Sequence, residues 1–267
     1  MADRINSTHV QTVPLGSAVL DIEWTSHETE LGCMLCVATS TGSLEFFTFD
    51  AAAAQLEHTS SKQISEPDTL VLDLLWHPIR ADTIAVTLSD GLVALCQSND
   101  STKPWSPSSQ TTTTELATHS LEPWTLAFSP DASHVFSGGD DAVLQAIQLS
   151  SPDQSSVPSA TTLWADRKSH EAGVTAILPL ATDLLITGSY DDRIRLIAAP
   201  PVGRRQVLAE LDLGGGVWRL RILDDGGVSS GVDNNRYVAF PSFFYLLAQY
   251  PEPCMSARTA SRCAIIW

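Results

Sequence analysis

Basic residues are scarce in this chain: Lys and Arg number 15 against 31 Asp and Glu, a formal net charge of −16. Phosphate contacts need a basic surface, so the balance argues against nucleic acid as a partner and favours basic proteins or cationic groups. Long apolar runs are missing too. The longest, around Phe243 to Leu247, is far shorter than a bilayer span, and Met1-Ala2-Asp3-Arg4 has no apolar signal core. A cytoplasmic protein with no membrane partner is the expectation. The 5 cysteines are an odd set without disulfide spacing and read as free thiols. Cys33-Met34-Leu35-Cys36 has metal-ligand spacing, but no second pair or histidine set accompanies it, so neither a metal nor another cofactor is expected.

What the chain has is a period. Gly188-Ser189-Tyr190-Asp191-Asp192-Arg193-Ile194-Arg195-Leu196 has earlier counterparts in Gly138-Gly139-Asp140-Asp141-Ala142-Val143-Leu144, Ser89-Asp90-Gly91-Leu92-Val93 and Ser40-Thr41-Gly42-Ser43-Leu44. The turn positions Thr41, Asp90, Asp141 and Asp191 are spaced by 49, 51 and 50 residues. The bulky residues Trp24, Trp76, Phe128 and Leu178, each ending an apolar segment upstream of its turn, are spaced by 52, 52 and 50. Short alternating strands joined by tight turns and repeated at this period spell an all-β fold, the blades of a β-propeller.

Three strands per unit can be placed. They are Ala18 to Trp24, Met34 to Ser40 and Ser43 to Phe49; then Leu70 to Trp76, Thr83 to Leu88 and Leu92 to Gln97. The third unit uses Trp124 to Phe128, His134 to Ser137 and Val143 to Leu149, and the fourth Val174 to Leu178, Leu184 to Thr187 and Ile194 to Ala198. Polar tracts such as Ser98 to Thr114 and Ser150 to Thr162 read as exposed rim loops. A fifth unit opens at Gly214-Gly215-Gly216-Val217-Trp218-Arg219, and then the rhythm fails, leaving about four and a half recognisable blades. The expected organisation is an N-terminal segment 1–17, blades over 18–223, and an atypical tail 224–267 that reads as a truncated or misjoined continuation, because an open ring would leave sheet edges exposed.

In a blade whose strands run outward from the axis, the start of the inner strand and the turn between the second and third strands share one face. That face collects Asp21, Glu23, Asp73, Glu122, Trp124, His170, Trp218 and Arg219 from the inner strands and Tyr190, Asp140, Asp141, Asp191 and Asp192 from the turns. A carboxylate, imidazole and aromatic group near one channel mouth is the expected site. Asp90, Asp141 and Asp191 are expected to hold turns, and a histidine before the inner strand can be tied up in the same way. Asp21 and Glu23 point to one side of their strand, where two acids are costly unless they face solvent or a ligand. Gly227-Val228-Ser229-Ser230-Gly231 has the spacing of a nucleophile elbow but lacks the strand before and helix after it that the elbow requires.

Several of these words go further than a generic repeat. Ser137-Gly138-Gly139-Asp140-Asp141, His170 followed by Gly173-Val174-Thr175-Ala176-Ile177, Gly188-Ser189-Tyr190-Asp191-Asp192, Gly215-Gly216-Val217-Trp218-Arg219-Leu220, Asp21-Ile22-Glu23-Trp24 and Glu122-Pro123-Trp124 together resemble the WD-repeat diphthine methylesterases of the diphthamide pathway, over about residues 18 to 223. Ile147 and Ile197 stand where such repeats often carry Trp at the end of the third strand. The resemblance implies a WD-repeat propeller and hydrolysis of the methyl ester of methylated diphthine on translation elongation factor 2. That substrate carries a trimethylammonium group, which aromatic faces and carboxylates hold best. On this reading Trp124, Trp218, Tyr190, Asp21 and Glu23 bind substrate. The catalytic set is His170 as base, Asp140 and Asp192, which also supply charge for the cation, and Arg219; either Arg219 or a backbone amide of Gly215-Gly216 serves the oxyanion. The alternative is a non-enzymatic scaffold or a ubiquitin-ligase substrate adaptor.

Overall fold

Period-2 alternation makes each repeat segment a strand, and tight turns force sequential strands to pair antiparallel. The structure, a computed structural model, describes residues 8–25, 32–149 and 160–223, together with the backbone of three further strands. The tail apart from those strands, and Gly227 to Gly231 within it, lie outside the described residues.

Four four-stranded sheets follow one another, each with its strands in sequence order. The first holds β1 (Val19–Trp24), β2 (Met34–Thr39), β3 (Ser43–Asp50) and β4 (Gln55–Gln63), and the second β5 (Val71–Trp76), β6 (Thr83–Leu88), β7 (Leu92–Ser98) and β8 (Thr111–Thr118). The third holds β9 (Pro123–Phe128), β10 (His134–Gly139), β11 (Leu144–Leu149) and β12 (Ala160–Asp166), and the fourth β13 (Val174–Ala181), β14 (Leu184–Ser189), β15 (Arg193–Ala198) and β16 (Gln206–Asp212). After them β17 (Val217–Leu223) pairs antiparallel with β18 (Arg236–Pro241), and β19 (Leu246–Ala248) with β20 (Ala264–Ile266). The chain is all-β, and the four sheets have the size and order of propeller blades. Among the described residues no helix is long and apolar enough to cross a membrane.

Each blade gains a strand that alternation does not announce. β4 (QLEHTSSKQ) and β8 (TTTTELAT) are polar, because an outermost strand needs only one covered face and little of that. The tract from Ser98 to Thr114 is therefore only partly a rim loop. It carries Trp105, which is 0% exposed and stacks on Phe46 with ring centroids 4.7 Å apart. The loop is pinned by its own backbone: the buried Lys62 Nζ donates to the carbonyls of Ser106 and Ser109 at 2.8 and 2.6 Å. Trp105 plugs the first unit from a stretch otherwise made of polar residues and prolines. A second departure concerns cysteine: Cys36 and Cys96 are free and buried, but Cys33 is disulfide-bonded.

Two compact units are present, one of Met1–Val86, Leu95–Thr113 and Phe244–Trp267, the other of Thr87–Ala94 and Thr114–Phe243. In the first, Leu35, Val37 and Phe47 pack against Ile22 and Trp24. In the second, Phe136, Leu144, Trp164, Val174, Leu185 and Ile197 form the main cluster, so Ile197 does fill the interior as an apolar plug.

Packing between sheets is close enough to demand glycine at two repeat positions. A Cβ on Gly188 would stand 2.4 Å from Val217 Cγ1, and one on Gly138 2.6 Å from Val174 Cγ1. The glycines of these repeat words are thus clearance for the first residue of the next inner strand. Polar residues lock such seams as well. Asp21 accepts a hydrogen bond from Leu74 N at 3.2 Å, and Thr175 Oγ1 donates to the Val217 carbonyl.

Candidate functional site

The turns between second and third strands bring four equivalent residues into the left-handed region: Gly42 (φ 69°), Gly91 (φ 96°), Ala142 (φ 57°) and Asp192 (φ 67°). Each follows a turn residue of the repeat. Asp90, Asp141 and Asp191 each accept the N–H two residues on, from Leu92, Val143 and Arg193 at 3.1, 3.1 and 3.2 Å. These bonds shape the turn before any chemistry is considered.

In the third sheet His119 completes the turn. Its Nδ1 lies 3.0 Å from Asp141 Oδ1 and its Nε2 2.9 Å from Ser137 Oγ, an acid, imidazole and hydroxyl relay. The His119 side chain and Ser137 are both 0% exposed, so the hydroxyl cannot meet a substrate. Burial opposes ionisation of Asp141, but hydrogen bonds from His119, Ser120 and Val143 hold its carboxyl below the usual range. His119 escapes a reading based on conspicuous words; its signal is the spacing of 51 residues to His170.

The fourth sheet rewires this relay. His170 Nε2 bonds Thr187 Oγ1 at 2.9 Å, while Asp191 is taken by Arg195, whose Nη1 lies 2.8 Å from Oδ2. Glu210 binds the same guanidinium at 2.6 Å. Arg195 is only 2% exposed. Burial and then the neighbouring Arg195 charge push the His170 imidazole down to about 4. His170 is 4% exposed, held inside its sheet.

The residues that do come together are aromatic. Trp124, second in β9, and Trp218, second in β17, have ring centroids 6.2 Å apart at 75°, and Tyr190 meets Trp218 at 4.9 Å and 88°. Tyr190 is 38% and Trp218 37% exposed, so the group opens to solvent. Two glycines make room for it. A Cβ on Gly173 would stand 2.7 Å from Asp140 Oδ1 and 3.2 Å from Tyr190 Cδ2, and one on Gly216 3.2 Å from Tyr190 Cδ1. The Tyr190 ring sits against both glycines, and Tyr190 N donates to Gly173 O at 2.9 Å. Asp140 is exposed beside it. Burial, and then the Asp140 charge, push the Tyr190 phenol up, so it remains protonated at neutral pH. The Trp124 indole N–H is buried with no acceptor among the described residues.

The other sequence candidates stand elsewhere or play visible structural parts. Asp21 is 4% exposed and tied to Leu74, and the Glu23 carbonyl accepts the Trp76 indole N–H at 3.0 Å; both belong to the first unit. Asp192 fills the left-handed turn position, and its carbonyl accepts Leu213 N at 2.8 Å. Arg219 follows Trp218 across an irregularity in the β17 register, which leaves both side chains exposed. Among the described residues no cluster of His, Cys, Asp and Glu could hold a metal.

The WD domain, G-beta repeat family model matches residues 109–145. A diphthine methyltransferase homolog from Dictyostelium discoideum is 30% identical over 221 residues, 79% of this chain and 57% of that protein. The diphthine methyltransferase of Schizosaccharomyces pombe is 28% identical over 210 residues, 78% of this chain and 57% of its own length. That of Saccharomyces cerevisiae is 34% identical over 123 residues, 39% of this chain and 30% of its own. The chain thus spans little more than half the length of the first two relatives. A chain in the crystal structure of a mitotic checkpoint complex superposes with a TM-score of 0.55 at 22% identity, over 82% of this chain and 60% of that one, a likeness of fold alone.

Proposed function

Because this chain is a WD-repeat protein distantly homologous to the diphthine methyltransferases, we propose that it hydrolyses the methyl ester of methylated diphthine on translation elongation factor 2. The observation that carries the reading is the corner formed by Trp124, Tyr190 and Trp218 beside Asp140. Near-perpendicular rings present more than one π-face to a single point, and a quaternary ammonium is attracted to such faces by about 0.5–2 kcal/mol each. Asp140 adds the opposite charge.

With the trimethylammonium held there, the ester lies within reach of groups at the same mouth. Asp140 takes a proton from water, which adds to the ester carbonyl carbon. Arg219 and the protonated Tyr190 hydroxyl are the donors available for the oxyanion. Collapse expels methanol, which carries one proton of the water away, and the diphthine carboxylate remains with the second proton released. His170 drops out of this scheme because it is buried and bonded to Thr187. Asp192 and the first-unit acids are likewise not needed, and no cofactor is required.

The test is incubation with methyl-esterified elongation factor 2, followed by mass spectrometry of the modified side chain. The wild type should remove one methyl group, Trp218→Ala should weaken substrate binding, and Asp140→Asn should slow release by about 100-fold or more. Full activity in Asp140→Asn removes that acid from the scheme. A folded wild type that leaves the ester intact defeats the hydrolase reading and favours a scaffold or ubiquitin-ligase adaptor.

A further inference from the structure

The scarcity of positive charge makes its placement informative. A groove of about 960 Å³ in the second unit is lined by Arg167, Lys168, Arg193, Arg195, Arg204 and Arg205. These are 6 of the 15 basic residues in a chain of net charge −16. The groove runs between β12, the last strand of its sheet, and β15 and β16, the outer strands of the next.

Its carboxylates are largely spoken for. Asp166 caps its own turn, accepting from Lys168 N, Ser169 N and Ser169 Oγ at 2.8, 3.2 and 2.7 Å. Glu210 is bound by Arg195 at 2.6 Å, with Arg193 at 3.6 Å, and Glu171 also lies 3.6 Å from Arg193. Arg205 is laid over the Trp164 ring, 5.2 Å from its centroid, and its buried Nε has no acceptor among the described residues. Arg167, Lys168 and Arg204 are exposed and have no carboxylate in ion-pair range among the described residues. The groove is therefore a positive trough whose own acids do not neutralise it.

We propose that this groove is a docking site for an extended acidic segment of a partner protein. Two of the strands that wall it, β12 and β16, end their sheets, and an edge strand's open side suits an extended chain. Fixed guanidinium groups match carboxylates bidentately. A peptide is the occupant rather than a nucleic acid because the trough is local. At physiological salt the Debye length is about 8 Å, so a short segment feels only the trough. A nucleic acid strand long enough to bind well would run onto the acidic remainder of the surface. The site is separate from the aromatic corner and does not depend on the proposed hydrolysis.

The experiment uses the full chain and a fluorescein-labelled peptide of about ten glutamates, followed by anisotropy between about 50 and 300 mM salt. Binding should weaken steeply as salt rises, and Arg167→Glu/Arg204→Glu should weaken it about tenfold or more. Lys103→Glu, half that charge change placed in the first unit, should leave it within about twofold. Circular dichroism checks that each variant is folded. No binding at the lowest salt, equal binding by the double variant, or an equal loss in Lys103→Glu overturns the proposal. Tighter binding of a single-stranded oligonucleotide of matched charge overturns the choice of partner.

Discussion

His170 shows how one neighbour changes what a histidine does. In the third sheet the imidazole has a carboxylate on one side and a hydroxyl on the other, but in the fourth Arg195 takes the carboxylate and sets its own charge nearby. A histidine whose folded value is lowered from 6.5 to about 4 is favoured as the neutral ring. Its stabilising contribution is fully present above 6.5 and is lost as pH falls toward 4, and at 4% exposure little solvent screens it. The shift corresponds to about 3 kcal/mol. Urea unfolding at about pH 7 and about pH 4.5 should show most of that loss in the wild type and much less in His170→Gln, which keeps a partner for Thr187. The depressed carboxyls of Asp141 and Asp191 act lower, because their stabilisation is lost only as pH falls through values below the ordinary aspartate. Equal losses in the two proteins would show that His170 is not the group that titrates. The spacing of Asp141 and Asp191 made their turns legible. The change of partner was not, since it depends on an arginine four residues along the strand whose charge looks like any other on a solvated face.

At the scale of elements, the period of about fifty residues was enough to place twelve of the strands, because inner strands are covered on their faces and must be apolar. The outer strands were hidden by their polarity, and Trp105 by the polar residues and prolines around it. The aromatic corner was legible as residue types at the mouths of repeats, but not its clearance, which comes from Gly173 and Gly216 just ahead of β13 and β17. Close approach is also what joins one sheet to the next. Alanine at Gly188 would put a methyl within 2.4 Å of Val217 Cγ1 and 3.3 Å of the Val217 carbonyl, so the seam must open. Gly188→Ala should cost about 1–3 kcal/mol by denaturant midpoint. Adding Val217→Ala removes the nearest carbon and leaves the Val217 Cβ, 2.7 Å away, so the double variant should lose less than the sum of the two single losses. Strict additivity would mean that the glycine serves something other than this contact.

Over the whole molecule, two opposed features meet at β16. All seven of its residues are exposed, it ends its sheet, and it shows Val207 (37% exposed), Leu208 (51%) and Leu211 (60%). A bulge at Leu208 shifts the alternation, so Val207 and Leu211 lie on opposite faces and neither face is purely polar. An open edge with apolar residues is a template for another copy of the chain. What opposes association is the net charge of −16, which acts over a distance set by salt. At neutral pH the Debye length falls from about 10 Å at 0.1 M to about 3 Å at 1 M, so the repulsion fades while the apolar contact persists. Sedimentation should therefore show the chain turning from monomer toward larger species as salt is raised. Leu208→Lys/Leu211→Lys, which changes the edge and makes the net charge less negative, should suppress that association. The sign separates the two causes: if charge alone governed, the lysines would promote association, and that result would clear β16 as the contact.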